Sequence, residues 1–433
     1  MFGTHVRTVL AKHGRERHTA ARLLLAGASA VLALSLAREP GFRGTDEMVA
    51  AVFWAGLWGA DLLLAHWGGY DKWLLPLAGT CNALGLALSF RLDPGGFYRQ
   101  TVYSLLGLFL LLAVVRTARA CPAWPAAYRW TSYATMGVLL LTVLAGRQVN
   151  GARSWLFVGG LGFEPSGPAL VFLTLTVGMV LWHGVREIWL VAAAAVLLAA
   201  THNLGAILTL ALVLTGSAYL RGWRWGSLIA AGVCLLGLAA LFYLVFPVVP
   251  ARLALWLAPA AEPGGPGFQM IRAFRAFAEG GLWGRGFASG RPGSIPAAGS
   301  DFVFAAWAGI AGAWMAWLIL ALYLFYLYRG LKAKAVTFPD ATLSARALAL
   351  LITCQAFLLA GGNTGFFPLT GVPMPFLSRG GSALAGSYLA TGMILSLGPP
   401  GTLGRRERRL LLGVSAVAGM LALAALWRSL GSG

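Results

Sequence analysis

Long apolar runs separated by short polar loops fill most of the chain. A helix needs about 20 apolar residues to cross a hydrocarbon core of roughly 30 Å. Runs near 19–37, 47–67, 73–91, 101–119, 128–146, 168–183, 186–200, 203–220, 226–247, 302–328, 345–368, 380–398 and 409–428 predict about 13 such helices. The run at 186–200 is short for a perpendicular crossing and predicts a tilted or re-entrant element. The run opening at Phe302 predicts one unbroken span.

The pattern changes over 248–300, the longest polar stretch. Within it, 268–279 (FQMIRAFRAFAE) places Met270, Ile271, Phe274 and Phe277 on one helical face with Arg272 and Arg275 beside them. This spacing predicts an amphipathic helix, either lying on lipid or packed on the membrane domain. The sequence leaves both open.

Composition agrees with the runs: 58% of the 433 residues are hydrophobic and 11% are charged, against roughly 25% charged in soluble domains. The fold class is therefore all-α, a polytopic integral membrane protein. No polar stretch is long enough for a separate soluble core, so the chain divides into 1–146, 147–398 with its large loop, and a basic loop plus last helix over 399–433. A net charge of +19 would suit nucleic acid, but the basic residues cluster in short loops between spans, as topology and lipid headgroups require. Nucleic acid is excluded as a partner on this pattern, and membrane lipids are expected. The scattered cysteines Cys81, Cys121, Cys234 and Cys354 show no metal-ligand spacing.

The basic start (Arg7, Lys12, Arg15, Arg17, Arg22) precedes an apolar run without a cleavage site, and reads as a retained first helix beginning in the cytoplasm. Arg116, Arg119 and Arg129, then Arg221 and Arg224, then Arg329 to Arg346, then Arg405 to Arg409 fall on that same side. The stretches 147–167, 248–300 and 368–379 consequently face outward. All three are rich in glycine and proline with a few polar groups, and irregular backbone at membrane depth is tolerated where it lines a cavity. Asp301 stands where one of them enters the apolar run, so it is partly desolvated and its basicity is raised. An ionisable group there is a functional candidate, and Ser300 with Asp301 equally suits the cap of a helix opening at Phe302.

In order and spacing, NGARSW (150–155), GFEPS (162–166), HNLGAIL (202–208), GSDFVFA (299–305), Asn363 and PLTGVPMPFLSRGGS (368–382) resemble the SEDS family of RodA, FtsW and SpoVE over roughly 145–398. The resemblance implies a ten-helix core, to which the first two spans and the last are additions. It also implies an inverting peptidoglycan glycosyltransferase in the inner membrane that polymerises lipid II, an undecaprenyl-diphosphate substrate, in cell shape, division or sporulation. A class B penicillin-binding protein is the implied partner. No cofactor is required, and a divalent cation (magnesium or manganese) is the optional companion.

On this resemblance Asp301 is the general base and Glu164 a substitute acid. Arg153, Trp155, Ser166, Arg285, Arg291, Ser300, Asn363, Pro373, Arg379 and Ser382 are the candidate substrate contacts, with Arg153 and Arg379 foremost for the diphosphate. No metal ligands are assigned. The chain departs from the family pattern where Gly167, Leu170 and Asn203 replace its usual glutamate, lysine and aspartate. Of that family's site acids essentially only Asp301 stands. Two other readings follow from these losses and from a lipid-wide groove: a non-catalytic scaffold or activator of a bitopic synthase, and a lipid-linked substrate flippase.

Overall fold

The computed structural model describes residues 21–22, 44–120, 124–149, 152–159, 161–183, 188–261, 265–286, 292–335, 339–396 and 401–430. Within hydrocarbon every backbone N–H and C=O must be satisfied inside the segment, so the apolar runs become helices. They are α1 (Gly44–Trp67), α2 (Leu74–Leu92), α3 (Pro94–Ala120), α4 (Trp124–Ala145), α5 (Ser166–His183), α6 (Ile188–Ala200), α7 (Leu204–Arg221) and α8 (Trp225–Val245). After these come α9 (Val248–Leu257), α10 (Pro266–Gly280), α11 (Val303–Ala311), α12 (Ala313–Leu331), α13 (Pro339–Thr364), α14 (Gly381–Ser396) and α15 (Arg405–Leu430). Among the described residues nine helices are long and apolar enough to cross a membrane: α1, α2, α3, α5, α7, α8, α12, α13 and α15. Apart from residues 21–22, the predicted run 19–37 lies outside the described residues.

The centre of the bundle is α2 and α13, buried along nearly their whole length, while α8 presents every side to its surroundings. Helix α14 packs most closely on α3. Some polar side chains inside pair across helices, which is worth more than leaving them bare in an apolar interior. Asn82 on α2 donates to the Tyr388 hydroxyl on α14 at 2.8 Å, and Ser104 on α3 donates to Asn82 at 3.2 Å.

The two ends differ in kind. At one, charges pair across helices: Arg329 with Asp71 at 2.5 Å, Arg346 with Glu407 at 2.6 Å and His183 with Asp340 at 3.0 Å. The other end is built from the three glycine- and proline-rich stretches.

Three features depart from the sequence expectation. The predicted single span over 302–328 is two helices, α11 and α12, broken at Gly312. Gly312 has φ +89°, and a Cβ there would stand 2.3 Å from the Leu282 carbonyl oxygen. The turn 281–286 takes the broken ladder's place: Arg285 and Gly286 donate to Gly309 and Ile310 at 3.3 and 2.9 Å, and Ala313 donates to Gly281 at 2.9 Å. The carbonyls at the end of α11 are thus satisfied by the loop instead of by the next turn of helix.

The stretch 147–163, expected as irregular loop, contains a small antiparallel sheet in the order β1 (Arg147–Val149), β2 (Ala152–Val158), β3 (Leu161–Phe163). Helix α10 packs one face on protein: Met270, Ala273 and Phe277 are buried, and it meets α11, α13 and α15.

Candidate active site

Asp301 is delivered by a tight turn, 297–302, in which Ala297 adopts φ +54°. The turn is fastened from two other segments. Asn363, wholly buried near the end of α13, donates its Nδ2 to the Asp301 carbonyl at 2.7 Å and accepts from Ala305 N–H at 3.1 Å. Ser378 donates to the Ser300 carbonyl at 2.8 Å, and the Arg379 N–H donates to the Gly299 carbonyl at 2.6 Å. The backbone on both sides of Asp301 is therefore fixed by α13 and by the 368–380 loop. Asp301 does not cap α11: the helix opens at Val303, and no side chain caps it.

That second loop runs deep into the bundle. Residues 374–378 are buried, Phe376 is held at φ +64°, and Tyr323 on α12 donates its hydroxyl to the Pro375 carbonyl. The penetration requires Gly85 on α2, since a Cβ there would come 2.5 Å from the Leu377 carbonyl oxygen.

The Asp301 side chain is half-buried. Burial pushes its pKa above the ordinary carboxylate range, while the positive charge of Arg252 and a hydrogen bond from Ser300 pull the other way. Arg252 lies on α9 and donates to the Thr370 carbonyl at 3.3 Å. Burial lowers its own pKa, and the Asp301 charge opposes that.

A second carboxylate lies within electrostatic reach. Burial raises the pKa of Glu164, hydrogen bonds from Ser166 and Ser154 lower it, and the negative charge of Asp301 raises it again. Ser166 donates to Glu164 Oε1 at 2.7 Å, and the Glu164 N–H donates to Ser382 Oγ at 3.0 Å. Glu164 and Ser166 line a depression of about 580 Å³, open mouth included, with Asn203, Gln355, Pro373 and Ser387.

The structure thus brings together Asp301, Glu164, Ser166, Ser300, Asn363, Pro373 and Ser382 from four distant segments. It does not bring the predicted cations to them. Arg153 is on exposed β2, its Nε donating to the Gly146 carbonyl at 3.0 Å and its backbone N–H to Thr201 at 2.8 Å. Trp155, beside it, pairs across to Arg147 on β1.

Arg379 turns away toward α2, donating to the Ser89 carbonyl at 3.1 Å and facing Asp93 at 3.8 Å. Arg285 pairs with Glu279 at 3.3 Å. Arg291 lies outside the described residues. Asp301 instead interacts electrostatically with Arg252 and Glu164, while Arg153 and Arg379 are engaged elsewhere. Arg153 and Arg285 find acceptors nearby, while Arg379 reaches Ser89 with one terminal nitrogen and leaves its Nε buried without an acceptor.

Arg252 was missed because it sits in an apolar decapeptide, VVPARLALWL, outside the recognisable motifs. The available signal was a lone cation at membrane depth.

Asn203 accepts from the Ala206 N–H at 3.2 Å as the cap of α7. A Cβ on Gly167 would stand 3.2 Å from the Ser382 carbonyl oxygen and 3.3 Å from Ala383 Cα. A cap and a close backbone approach occupy these two positions. Among the described residues no group of three or more His, Cys, Asp or Glu side chains could hold a metal ion.

The family model for FtsW, RodA and SpoVE, described as a cell cycle protein, matches residues 94–399. The chain is 28% identical over 375 residues to the peptidoglycan glycosyltransferase RodA of Mycobacterium tuberculosis (strain ATCC 25618 / H37Rv), across 77% of this chain and 79% of that one. It is 30% identical over 317 residues to the probable peptidoglycan glycosyltransferase FtsW of Nitrosococcus halophilus, across 69% and 81%.

The crystal structure of the Thermus thermophilus rod shape determining protein RodA superposes with TM-score 0.58 at 26% identity, covering 76% of this chain and 97% of that one. A chain from a study of how a peptidoglycan synthase complex coordinates polymerization and crosslinking gives TM-score 0.63 at 26% identity, covering 75% and 96%. Helix α15 lies beyond the matched residues.

Proposed function

Since the chain belongs to the FtsW/RodA/SpoVE family, we propose that it is a peptidoglycan glycosyltransferase that extends glycan chains from lipid II, with Asp301 as general base. The observation that carries this is the Asp301 carboxylate: half-buried, raised in basicity by desolvation, faced by Arg252 and anchored through its own backbone by Asn363. A general base works best with a pKa near the operating pH and within hydrogen-bond reach of its proton. Asp301 would take the proton from the acceptor sugar hydroxyl as that oxygen bonds to the anomeric carbon of the donor. The bond from that carbon to the diphosphate oxygen breaks with inversion, and undecaprenyl diphosphate leaves.

Arg252 is the cation closest in effect to the base, and arginine suits a diphosphate through its paired donors. It takes the role first assigned to Arg153 and Arg379. Glu164, hydrogen-bonded by two serines, is the auxiliary acid that shapes the local field. The reaction needs no cofactor, and Glu164 with Asp301 are the carboxylates a divalent cation would meet. The Arg329, Lys332, Lys334, Arg346 and Arg405–Arg409 end of the bundle is assigned to the cytoplasm by its positive charge. The Asp301 end then faces outward from the inner membrane, where lipid II and a class B penicillin-binding protein would meet it.

One observation favours a second reading. Asn203 serves as a cap and Gly167 as a close-packing contact, so the site holds fewer acids than its family pattern, as a scaffold or activator of a bitopic synthase would.

The deciding experiment is polymerisation of labelled lipid II by purified protein, with and without the co-purified synthase, for the parent and for Asp301→Asn. The glycosyltransferase reading expects polymer from the parent and a loss of about 100-fold or more in the variant. Equal polymer from both removes Asp301 from the reaction. No polymer under any condition, with the partner still bound, establishes the scaffold.

A further inference from the structure

A second cluster of cations lies apart from the Asp301 vestibule. Arg272 and Arg275 on α10, Arg285 on the following turn, and Ser294 line a depression of about 380 Å³, open mouth included, floored by Ala306, Gly309 and Ile310 of α11. Three guanidinium groups share one carboxylate, Glu279, which pairs with Arg285 at 3.3 Å. Among the described residues Arg275 has no acidic partner. The Arg272 Nε is buried without a hydrogen-bond acceptor, while its guanidinium stacks over the Phe268 ring at 4.8 Å. A buried charged donor without an acceptor is destabilising, and an oxyanion entering the depression would relieve it.

The rim says what kind of oxyanion. Leu282 and Trp283, three and two residues before Arg285, are exposed at 37% and 77%. An apolar residue and a tryptophan beside arginines make the arrangement found at a membrane interface, where the indole sits at headgroup level and the cations meet phosphate.

We propose that Arg272, Arg275 and Arg285 form a binding site for the phosphate of a membrane-anchored anionic lipid. The headgroup enters between α10 and the 281–286 turn, and its acyl or prenyl chains run past Leu282 and Trp283. Occupancy ties this turn, which closes the break between α11 and α12, to the lipid surface. The site is distinct from the reaction vestibule and stands whether or not the protein is a glycosyltransferase.

The test uses full-length protein in nanodiscs of neutral phosphatidylcholine, with phosphatidylglycerol titrated in one arm and undecaprenyl phosphate in another, bound lipid being read by native mass spectrometry. The parent should retain one arm's lipid in preference to phosphatidylcholine, and the arm that responds assigns the source of the phosphate. Arg272→Gln with Arg285→Gln should weaken that retention by at least about tenfold. Glu279→Gln, which adds net positive charge without removing a donor, should strengthen it and guards against a variant that merely fails to fold. Equal retention in parent and double variant, or weaker retention in Glu279→Gln, overturns the proposal.

Discussion

Asn363 is the residue on which the placement of Asp301 most depends, although it never touches the carboxylate. Its amide spans two elements, donating to the Asp301 carbonyl at 2.7 Å and accepting from the Ala305 N–H at 3.1 Å. That N–H belongs to the first turn of α11, where the helix supplies no partner of its own. Asn363→Ala strands both groups in a buried setting, at about 1–3 kcal/mol each. We expect the variant to lose about 3–4 kcal/mol, since the Asp301 carbonyl can shift toward water and the Ala305 N–H cannot.

The larger effect is on activity. A displacement of about 1 Å at a reacting group costs on the order of 100-fold, so polymerisation should fall more steeply than thermal stability. Thermal unfolding in detergent and gel-resolved polymerisation of labelled lipid II read the two quantities in the same preparations. An Asn363→Ala protein that is destabilised yet polymerises within about twofold of the parent would refute the reasoning that this amide positions the base.

Two further outcomes follow from the geometry. Because the Arg252 charge lowers the Asp301 pKa against the rise caused by burial, Arg252→Gln should let it rise further. The acid limb of the pH–rate profile, where the base becomes protonated, should then move to higher pH, and an unmoved limb separates Arg252 from the base. Gly85→Ala places a methyl group 2.5 Å from the Leu377 carbonyl oxygen. It should push the 374–378 loop outward, with a cost of about 1–3 kcal/mol and loss of polymerisation in the assays above. Parent-like behaviour would show that α2 does not seat this loop.

Much of the fold was legible because burial in lipid leaves one signature, the long apolar run, and described helices fall on the runs with ends shifted by a few residues. The break at Gly312 was not legible, because a glycine in an apolar run looks the same whether it continues a helix or turns it. Only the nearness of Leu282, thirty residues earlier in the chain, makes the difference. The 147–163 sheet was hidden for a similar reason: its strands are three to seven residues long, too short for alternation to stand out.

At the site, the motif residues converge because Ser378 and Asn363 donate across segments and Ser382 accepts from the Glu164 N–H. The cations could not be read this way. Arginine is long enough to find an acceptor away from its motif, as Arg379 does at Ser89 across the fold and Arg285 at Glu279, so proximity in motif says little about where the charge ends up. Arg252 acts on Asp301 through its charge from a helix that carries no recognisable motif.

Helix α15 is latched twice, by Glu407 to Arg346 at one end and by Arg428 at the other, where the guanidinium donates to the Thr364 carbonyl at 3.2 Å and covers Phe274 at 3.8 Å. Between them Trp317 on α12 donates to the Ala422 carbonyl at 3.0 Å. The flank where α12, α13 and α10 meet is thereby already upholstered by α15. Any helix docking on this flank from another chain would have to displace α15. The same helix carries the backbone from the Arg346–Glu407 pair to the Thr364 end of α13, one residue from the Asn363 amide that holds the Asp301 turn.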